Sequence, residues 1–418
     1  MTRSFSGGTP NKSTPSFWLG NIPWVSPKDF ISFYVSDSED HISDEGMKAA
    51  RLNLAPENSV LVVVRSGILK HTLPVCVATR PVAINQDIKA LIPNEKIKSE
   101  YLALYLEVFG GRILSVISKH STTVQSLNTP QLDTLLIPVP PTPIQDVLID
   151  EMKAARSARQ QKLAEADALL AGFDGYLLAQ LGLAAPAPDA RQVFAVRLGQ
   201  INRQRLDSFF YEPNLIKNEA VAQKYKPVLP LAKLLTKPPM NGLDARDYLE
   251  AGQRYLRVQN VKPFELKFDD IKYVSSDSPK DIALQEGDVL LTRKGSFGLA
   301  ATVPREAVDC LISSEVILLR LSPDANCNPD YLVSWLNSAI AQAILNRHKS
   351  GGIMGHLTQD VVSKLPIPLP PKEIQTAIAA EVTRRRTEAR WLRASAGAEW
   401  AAAKARFEQE LLGDSAKP

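Results

Sequence analysis

The feature that most constrains this chain is that its second half repeats the plan of its first. Residues 126–145 read SLNTPQLDTLLIPVPPTPIQ, and residues 356–375 read HLTQDVVSKLPIPLPPKEIQ. A shift of 230 sets Leu127 on Leu357, Ile137 on Ile367 and Pro138 on Pro368. It also sets Pro140 and Pro141 on Pro370 and Pro371, and Ile144 and Gln145 on Ile374 and Gln375. Upstream, VLVVVRSG (60–67) meets DVLLTRKG (288–295) at a shift of 228, and the same shift lays AINQD (83–87) on LISSE (311–315). Two nearly equal shifts, kept in order across both halves, mark a tandem duplication and call for two like folding units.

Each copy has the same internal plan. Strand-rich sequence comes first, with β-branched runs such as VLVVV and EVILLRL set between Gly and Pro turns. A helical segment follows, then an extended IP(V/L)PP stretch in which proline stops both sheet and helix from continuing. A long helix starts directly after it. In the first, Ile144, Leu148, Met152 and Ala155 recur at helical spacing, and Leu163, Ala166, Leu170, Phe173 and Leu177 resume the stripe after the polar SARQQK. In the second, Ile374, Ile378 and Val382 precede the cluster Arg384–Arg386, and Ala389, Leu392, Ala396, Trp400, Ala403, Phe407 and Leu411 continue. Both stripes suit a coiled-coil seam with a polar interruption. A helix over 142–181 would be about 60 Å long at 1.5 Å per residue. Gly182 ends it, and APAPDA (185–190) makes a short stiff linker. The alternative is two unrelated amphipathic helices, each packed on its own globular part. Helices of this length are uncommon in compact domains, which favours an antiparallel pair related by a pseudo-twofold axis.

Composition agrees with a globular chain: of 418 residues 44% are hydrophobic and 22% charged. The apolar run 60–64 ends at Arg65, far short of the roughly 20 residues a bilayer span needs. The opening MTRSFSGGTPNK has no apolar core of a secretory signal, so a cytoplasmic location is expected. Lys and Arg number 49 against 45 Asp and Glu, a net +4 that permits an anionic partner without requiring one. Cys76, Cys310 and Cys327 have no CxxC spacing and read as buried or free thiols.

With these segments in hand, the chain resembles the specificity (S) subunits of type I restriction–modification systems. The likeness rests on GGTPNKSTPSFWLGNIPWVSPKDF (7–30), on EGDVLLTRKGSFGLAATV (286–303) and on the doubled L…IPxPPxxxQ lead into a long helix. The resemblance implies an α/β (α+β) fold with two tandem target-recognition domains, over 1–141 and 184–371 with 184–195 as linker. Two long antiparallel coiled-coil spacer helices, 142–183 and 372–418, would join them. Each recognition domain would read one half of a split site in double-stranded DNA. The spacers would set the gap and dock two methyltransferase (M) subunits, with restriction/translocase (R) subunits joining them in phage defence. S-adenosylmethionine, ATP and Mg2+ would be bound by those partners and no cofactor or metal by this chain. One departure stands out: copy two carries Val196–Lys233 ahead of its core, whereas copy one begins almost at once with SGGTPN.

DNA reading requires Arg, Lys, Asn, Gln and small polar side chains at groove edges, with Lys, Arg and backbone amides on phosphates. Three turns offer such residues in each copy. After the apolar strand stand Arg65, Ser66, Lys70 and His71 in copy one and Arg293, Lys294 and Ser296 in copy two. Earlier, Trp24, Ser26 and Lys28 have rough counterparts in Arg257, Gln259, Asn260 and Lys262. Before the proline stretch, KHSTTVQ with Lys119, His120 and Gln125 mirrors RHKSGGIMG with Arg347, His348 and Lys349. Taken singly, a basic turn is a solvated loop, a Trp in IPW is core and a His is a surface residue. Their recurrence at matched positions is what points to a binding face.

The sequence has no GxxxxGK[ST], HExxH or GxSxG motif and no NPPY-type tetrapeptide. The pairs Pro188-Asp189, Pro323-Asp324 and Pro329-Asp330 lack an acid-x-Lys partner for nuclease chemistry. The reading is a non-catalytic DNA-recognition subunit of an enzyme complex. Its rivals are a specificity subunit of another methylation-based phage-defence system, a standalone nuclease or methyltransferase, and a coiled-coil scaffold that binds no DNA.

Overall fold

The computed structural model describes residues 3–119, 125–191, 193–201, 205–275, 282–351 and 355–413. The chain divides into two compact units, residues 1–164 with 392–418 and residues 165–391. Each long helix therefore contributes to both units and is not a separate body.

The first unit is built around Val60–Val63, the middle strand of a five-stranded sheet. Ile88–Ile92 and Val75–Ala78 flank it antiparallel, Arg3–Ser6 extends one edge, and Tyr34–Val35 closes the other by a parallel pairing. Successive side chains of a strand point to opposite faces, and here both faces are covered. Val60, Val62 and Val64 join Tyr101 and Leu102 of helix Ser99–Val108 in one core cluster. Leu61 and Val63 join Val25, Ile84 and Ile88 in another. A strand buried on both sides cannot alternate with polar residues, which is why VLVVV is a continuous apolar run. Each such side chain contributes roughly 1.5–3 kcal/mol on burial.

The second unit repeats this arrangement. Val289–Thr292 lies between Val316–Leu319 and Ala300–Thr302, with Met240–Asn241 at the edge, all antiparallel. Val289 and Leu291 face Tyr331 and Trp335 of helix Pro329–Leu336, while Leu290 faces Leu256, Ile312 and Leu318.

Two fully buried glutamines lock the proline stretches. Gln145 accepts from the Lys98 amide at 2.8 Å and donates to the carbonyls of Lys96 (2.9 Å) and Pro140 (2.8 Å). Gln375 accepts from the Asn328 amide at 2.7 Å and donates to Asn326 (2.9 Å) and Pro370 (2.8 Å). Tyr101 and Tyr331 add the same 2.7 Å hydroxyl bond, to the carbonyls of Pro138 and Pro368. Prolines have no N–H to anchor them in a ladder, so these side chains hold the stretches by their carbonyls.

The leading segment of copy two has a structural role. Val228–Pro230 pairs antiparallel with Pro366–Pro368, so that all three residues of the latter are buried. In the first unit the matching Leu136 is 90% exposed and Val139 is also open.

The first long helix departs from the expected continuous 142–181. It runs Thr142–Ala171 and then Phe173–Gln180, interrupted at Gly172. Arg385 donates to the carbonyl of Leu169 at 3.2 Å, a group an unbroken helix would offer to residue 173. Glycine also weakens a helix by about 1 kcal/mol. Gly182, at φ +62°, ends the segment. The second helix is continuous over Lys372–Leu412. Within the first unit, Leu148, Ile149 and Met152 share a core with Trp400, Ala403 and Phe407, and the Arg156 guanidinium lies over the Phe33 and Trp400 rings. The polar interruption engages too: Lys162 donates to Ser395 at 2.8 Å and pairs with Glu399. Within the second unit, Phe173, Leu177 and Leu178 share a core with Ile378 and Val382. No helix among the described residues is long and apolar enough to cross a membrane.

Candidate nucleic-acid interface

Parallel strands deliver their following turns to the same end, and each unit has such a pair here. Trp24 and Val25 of strand Ile22–Val25 pair in parallel with Ala83 and Ile84. Tyr255 and Leu256 of strand Gln253–Leu256 pair in parallel with Leu311 and Ile312. The turns that follow are Ser26–Asp29 with Asn85–Asp87 in one unit, and Arg257–Asn260 with Ser313–Glu315 in the other. Backbone bonds tie them together: Asn85 donates to Val25 at 3.0 Å and Ser313 to Leu256 at 2.9 Å.

Two further turns join this end. The amide of Arg65 donates to the Asp87 carbonyl at 3.3 Å, and that of Arg293 to Glu315 at 2.8 Å. The amide of Gly8 donates to Ile84 at 3.0 Å, and that of Leu243 to Ile312 at 2.8 Å. Gly7 and Gly242 precede these contacts at closest approach. A Cβ there would stand 1.8 Å from the Ile84 carbonyl oxygen and 2.0 Å from that of Ile312, so only glycine fits. The segment before the proline stretch completes the face, with Leu127 donating to Val64 at 2.8 Å and Leu357 to Arg293 at 3.1 Å. Each unit thus presents a cluster of turns mounted on a rigid buried sheet.

The residues singled out in the sequence distribute unevenly over this face. Arg65 is 54% exposed, with its Nε donating to Asp87 at 2.6 Å. Ser66 caps the short helical turn Gly67–Lys70, and Lys70 and His71 are exposed. Arg293 donates through Nε to the Leu357 carbonyl at 2.9 Å, and Lys294 and Ser296 are exposed beside it. Lys262 is partly exposed in a two-residue strand paired with Glu265. The Gln125 carbonyl accepts from Ser66 at 3.1 Å. Lys119 lies in a strand opposite Ser126, while its side chain and all of His120 fall outside the described residues.

Other expectations need correction. Trp24 is 5% exposed, meets Trp18 edge to face, and donates its indole N–H to Gly8 at 2.9 Å. It is a core residue with no open ring face for a base. Asn260 is 1% exposed, and its amide accepts from Arg257 and donates to Lys267 and Asp269. It holds the turn together, as Asp29 does by accepting from the Ser26 amide at 2.8 Å. Lys28 pairs with Glu39 and Asp40, which push its pKa up, and Arg257 and Gln259 both donate to Asp270 at 2.8–2.9 Å. Lys272, Arg257 and Gln259 hold the Asp270 carboxyl below the usual carboxylate range. Arg347 and His348 both engage Glu219, and Arg347 also donates to Phe210, so these two clamp the leading segment of copy two. Lys349 lies over the Phe209 ring at 4.5 Å.

Sequence reasoning passed over a set of polar residues at the same end: Thr9, Asn85, Gln86 and Asp87 in one unit, and Asn241, Ser313 and Ser314 in the other. Thr9 bonds to Gln86, and Asn85 donates to Asp87 at 3.3 Å. The buried Asn241 Oδ1 and Ser313 Oγ have no partner among the described residues. The signal was present in the match of AINQD to LISSE, at the same shift as the basic turn. Among the described residues no group of three or more His, Cys, Asp or Glu gathers as a metal-binding set.

Each of the two repeated sheets thus carries one polar cluster of turns. Residues 3–165 and 246–384 match the sequence profile of the type I restriction modification DNA specificity domain, and the chain belongs to that family. It is 40% identical over 137 residues to the type I restriction enzyme EcoR124I/EcoR124II specificity subunit of Escherichia coli, covering 32% of this chain and 34% of that protein. It is 32% identical over 99 residues to the type I restriction enzyme MjaIX specificity subunit of Methanocaldococcus jannaschii, covering 23% and 22%. The matches thus span about a third and about a fifth of those relatives. A chain solved in work on complex assembly and conformational transition of the type I R-M system superposes with a TM-score of 0.60 at 14% identity, over 99% of this chain and 98% of the other. That likeness is one of fold.

Proposed function

We propose that this chain is the specificity subunit of a type I restriction–modification complex, each unit reading one half of a split DNA site. The observation that carries this reading is the doubled cluster of turns, in which Arg65 and Arg293 occupy matching places on matching backbone bonds. Base-edge contacts from these turns would set the sequence read, and exposed Lys70 and Lys294 would add phosphate contacts and salt-dependent affinity. The two long helices would act as an antiparallel spacer. Lys372–Leu412, with 41 residues, is about 60 Å long, somewhat under two DNA turns of 34–36 Å. Two methyltransferase subunits would dock on the helices with S-adenosylmethionine, and restriction/translocase subunits would bring ATP and Mg2+. The chain itself would carry no catalytic residue.

The test is to co-express the chain with its genomic-neighbour methyltransferase and map methylated positions by single-molecule sequencing. The expected result is one split motif, lost when this gene is deleted and altered in one half only when residues 1–141 are exchanged. Methylation unchanged by the deletion would remove the chain as the specificity determinant.

A further inference from the structure

We infer that Arg65 and Arg293 each read a guanine through their two terminal nitrogens, at corresponding places in the two half-sites. This rests on the DNA-recognition reading above and names what that face reads.

The two arginines are held in the same manner by different partners. Arg65 uses Nε to reach Asp87 Oδ1 at 2.6 Å, and Arg293 uses Nε to reach the Leu357 carbonyl at 2.9 Å. Among the described residues, neither Nη1 nor Nη2 of either side chain has a protein partner. Each guanidinium is therefore fixed along one edge and leaves its end, two adjacent donors, unmatched. An untethered arginine loses rotamer entropy when a ligand orders it. The Nε anchors remove much of that disorder before DNA arrives.

Two adjacent donors select their ligand by complementarity. In the major groove only guanine presents two neighbouring acceptors, O6 and N7. Adenine offers one acceptor and one donor, thymine one acceptor beside a methyl group, and cytosine a donor. A phosphate could also accept a guanidinium fork, but the local charge opposes it. Asp87 lies against Arg65, and the exposed Glu315 holds the equivalent place in the turn beside Arg293. An anionic phosphate approaching Arg65 meets the Asp87 carboxylate, whereas a neutral base edge does not.

The test uses the full chain with its methyltransferase partner, selecting from a randomised double-stranded DNA library at several salt concentrations. The native complex is expected to enrich a split motif with a G·C pair in each half. Arg65→Ala should relax one such position in one half by about 5- to 150-fold and leave the other half as sharply read as before. Arg293→Ala should do the converse, and the remaining positions of the altered half, still read, report that the mutated unit is folded. Arg65→Lys keeps the charge but not the fork, so it should lose the same discrimination with the salt dependence unchanged. A uniform loss across all sequences, with a shallower salt slope, would identify a phosphate contact and overturn the assignment. Unchanged motifs in the alanine variants would also overturn it. Enrichment of no motif by the native complex would overturn both this inference and the reading beneath it.

Discussion

Replacing Gln375 by leucine removes a side chain of similar size that holds three backbone groups at once. The Asn328 N–H and the carbonyls of Asn326 and Pro370 lose their partner, a side chain with no solvent exposure. Each buried group left unsatisfied costs about 1–3 kcal/mol, with the N–H toward the upper end. The total is about 3–5 kcal/mol, because carbonyls tolerate under-satisfaction better than amides. For a domain of this size that lowers the melting temperature by about 2–4 °C per kcal/mol, or about 6–20 °C. Calorimetry should show the transition of the second unit displaced by that amount, and hydrogen exchange should show the Asn328 amide losing protection. Gln145→Leu should act in the same way on the first unit, through the Lys98 amide. The two effects should add, since the glutamines share no partner. A melting temperature within about 2 °C of the native value, with the Asn328 amide still protected, would refute the idea that these bonds hold the proline stretch.

Two further predictions concern charge in the second unit. Asp288 is 2% exposed and receives Arg320 through Nε and Nη2, at 2.8 and 2.7 Å, as well as the Gln285 amide. Arg320→Ala strands a buried carboxylate and should cost about 3–5 kcal/mol in denaturant unfolding, while Arg320→Ala with Asp288→Asn should recover part of it. Burial opposes ionisation of Glu219, but His348 and Arg347 outweigh it and hold its pKa below the usual value. A carboxyl more acidic when folded stabilises above its unfolded pKa of about 4.3, and that contribution fades as pH falls through the depressed value. Fluorescence-monitored acid unfolding of Glu219→Gln should therefore differ from the native protein at neutral pH and converge with it in acid; a constant difference at all pH values would contradict the assignment.

Several of these interactions were legible as residues but not as roles. Gln145 and Gln375 were visible as a repeated position, and nothing in their spacing said that they bind loops some fifty residues away along the chain. Arg65 and Arg293 were legible as basic turns, and their Nε anchors were not, because one partner is a carboxylate and the other a backbone carbonyl. Lys28, Arg257, Arg347 and His348 looked equally available, but the fold engages them with Glu39, Asp40, Asp270 and Glu219. An ion pair of this kind depends on which loops meet, and the residue types alone do not decide that.

The sequence by itself determined the doubling, the central apolar strands, the proline stretches and the long helices. These are periodic or repeated patterns, and apolar periodicity dictates burial wherever the chain can satisfy it. Tertiary structure alone decided that Trp24 and Asn260 belong to the interior and that Gly172 interrupts the first helix beside Arg385. It also decided that four turns distant in sequence share one end of each unit. The physical reason is that strand pairing is non-local: a parallel register such as Val25 on Ile84 leaves no periodic mark on either strand, yet it fixes which turns stand together.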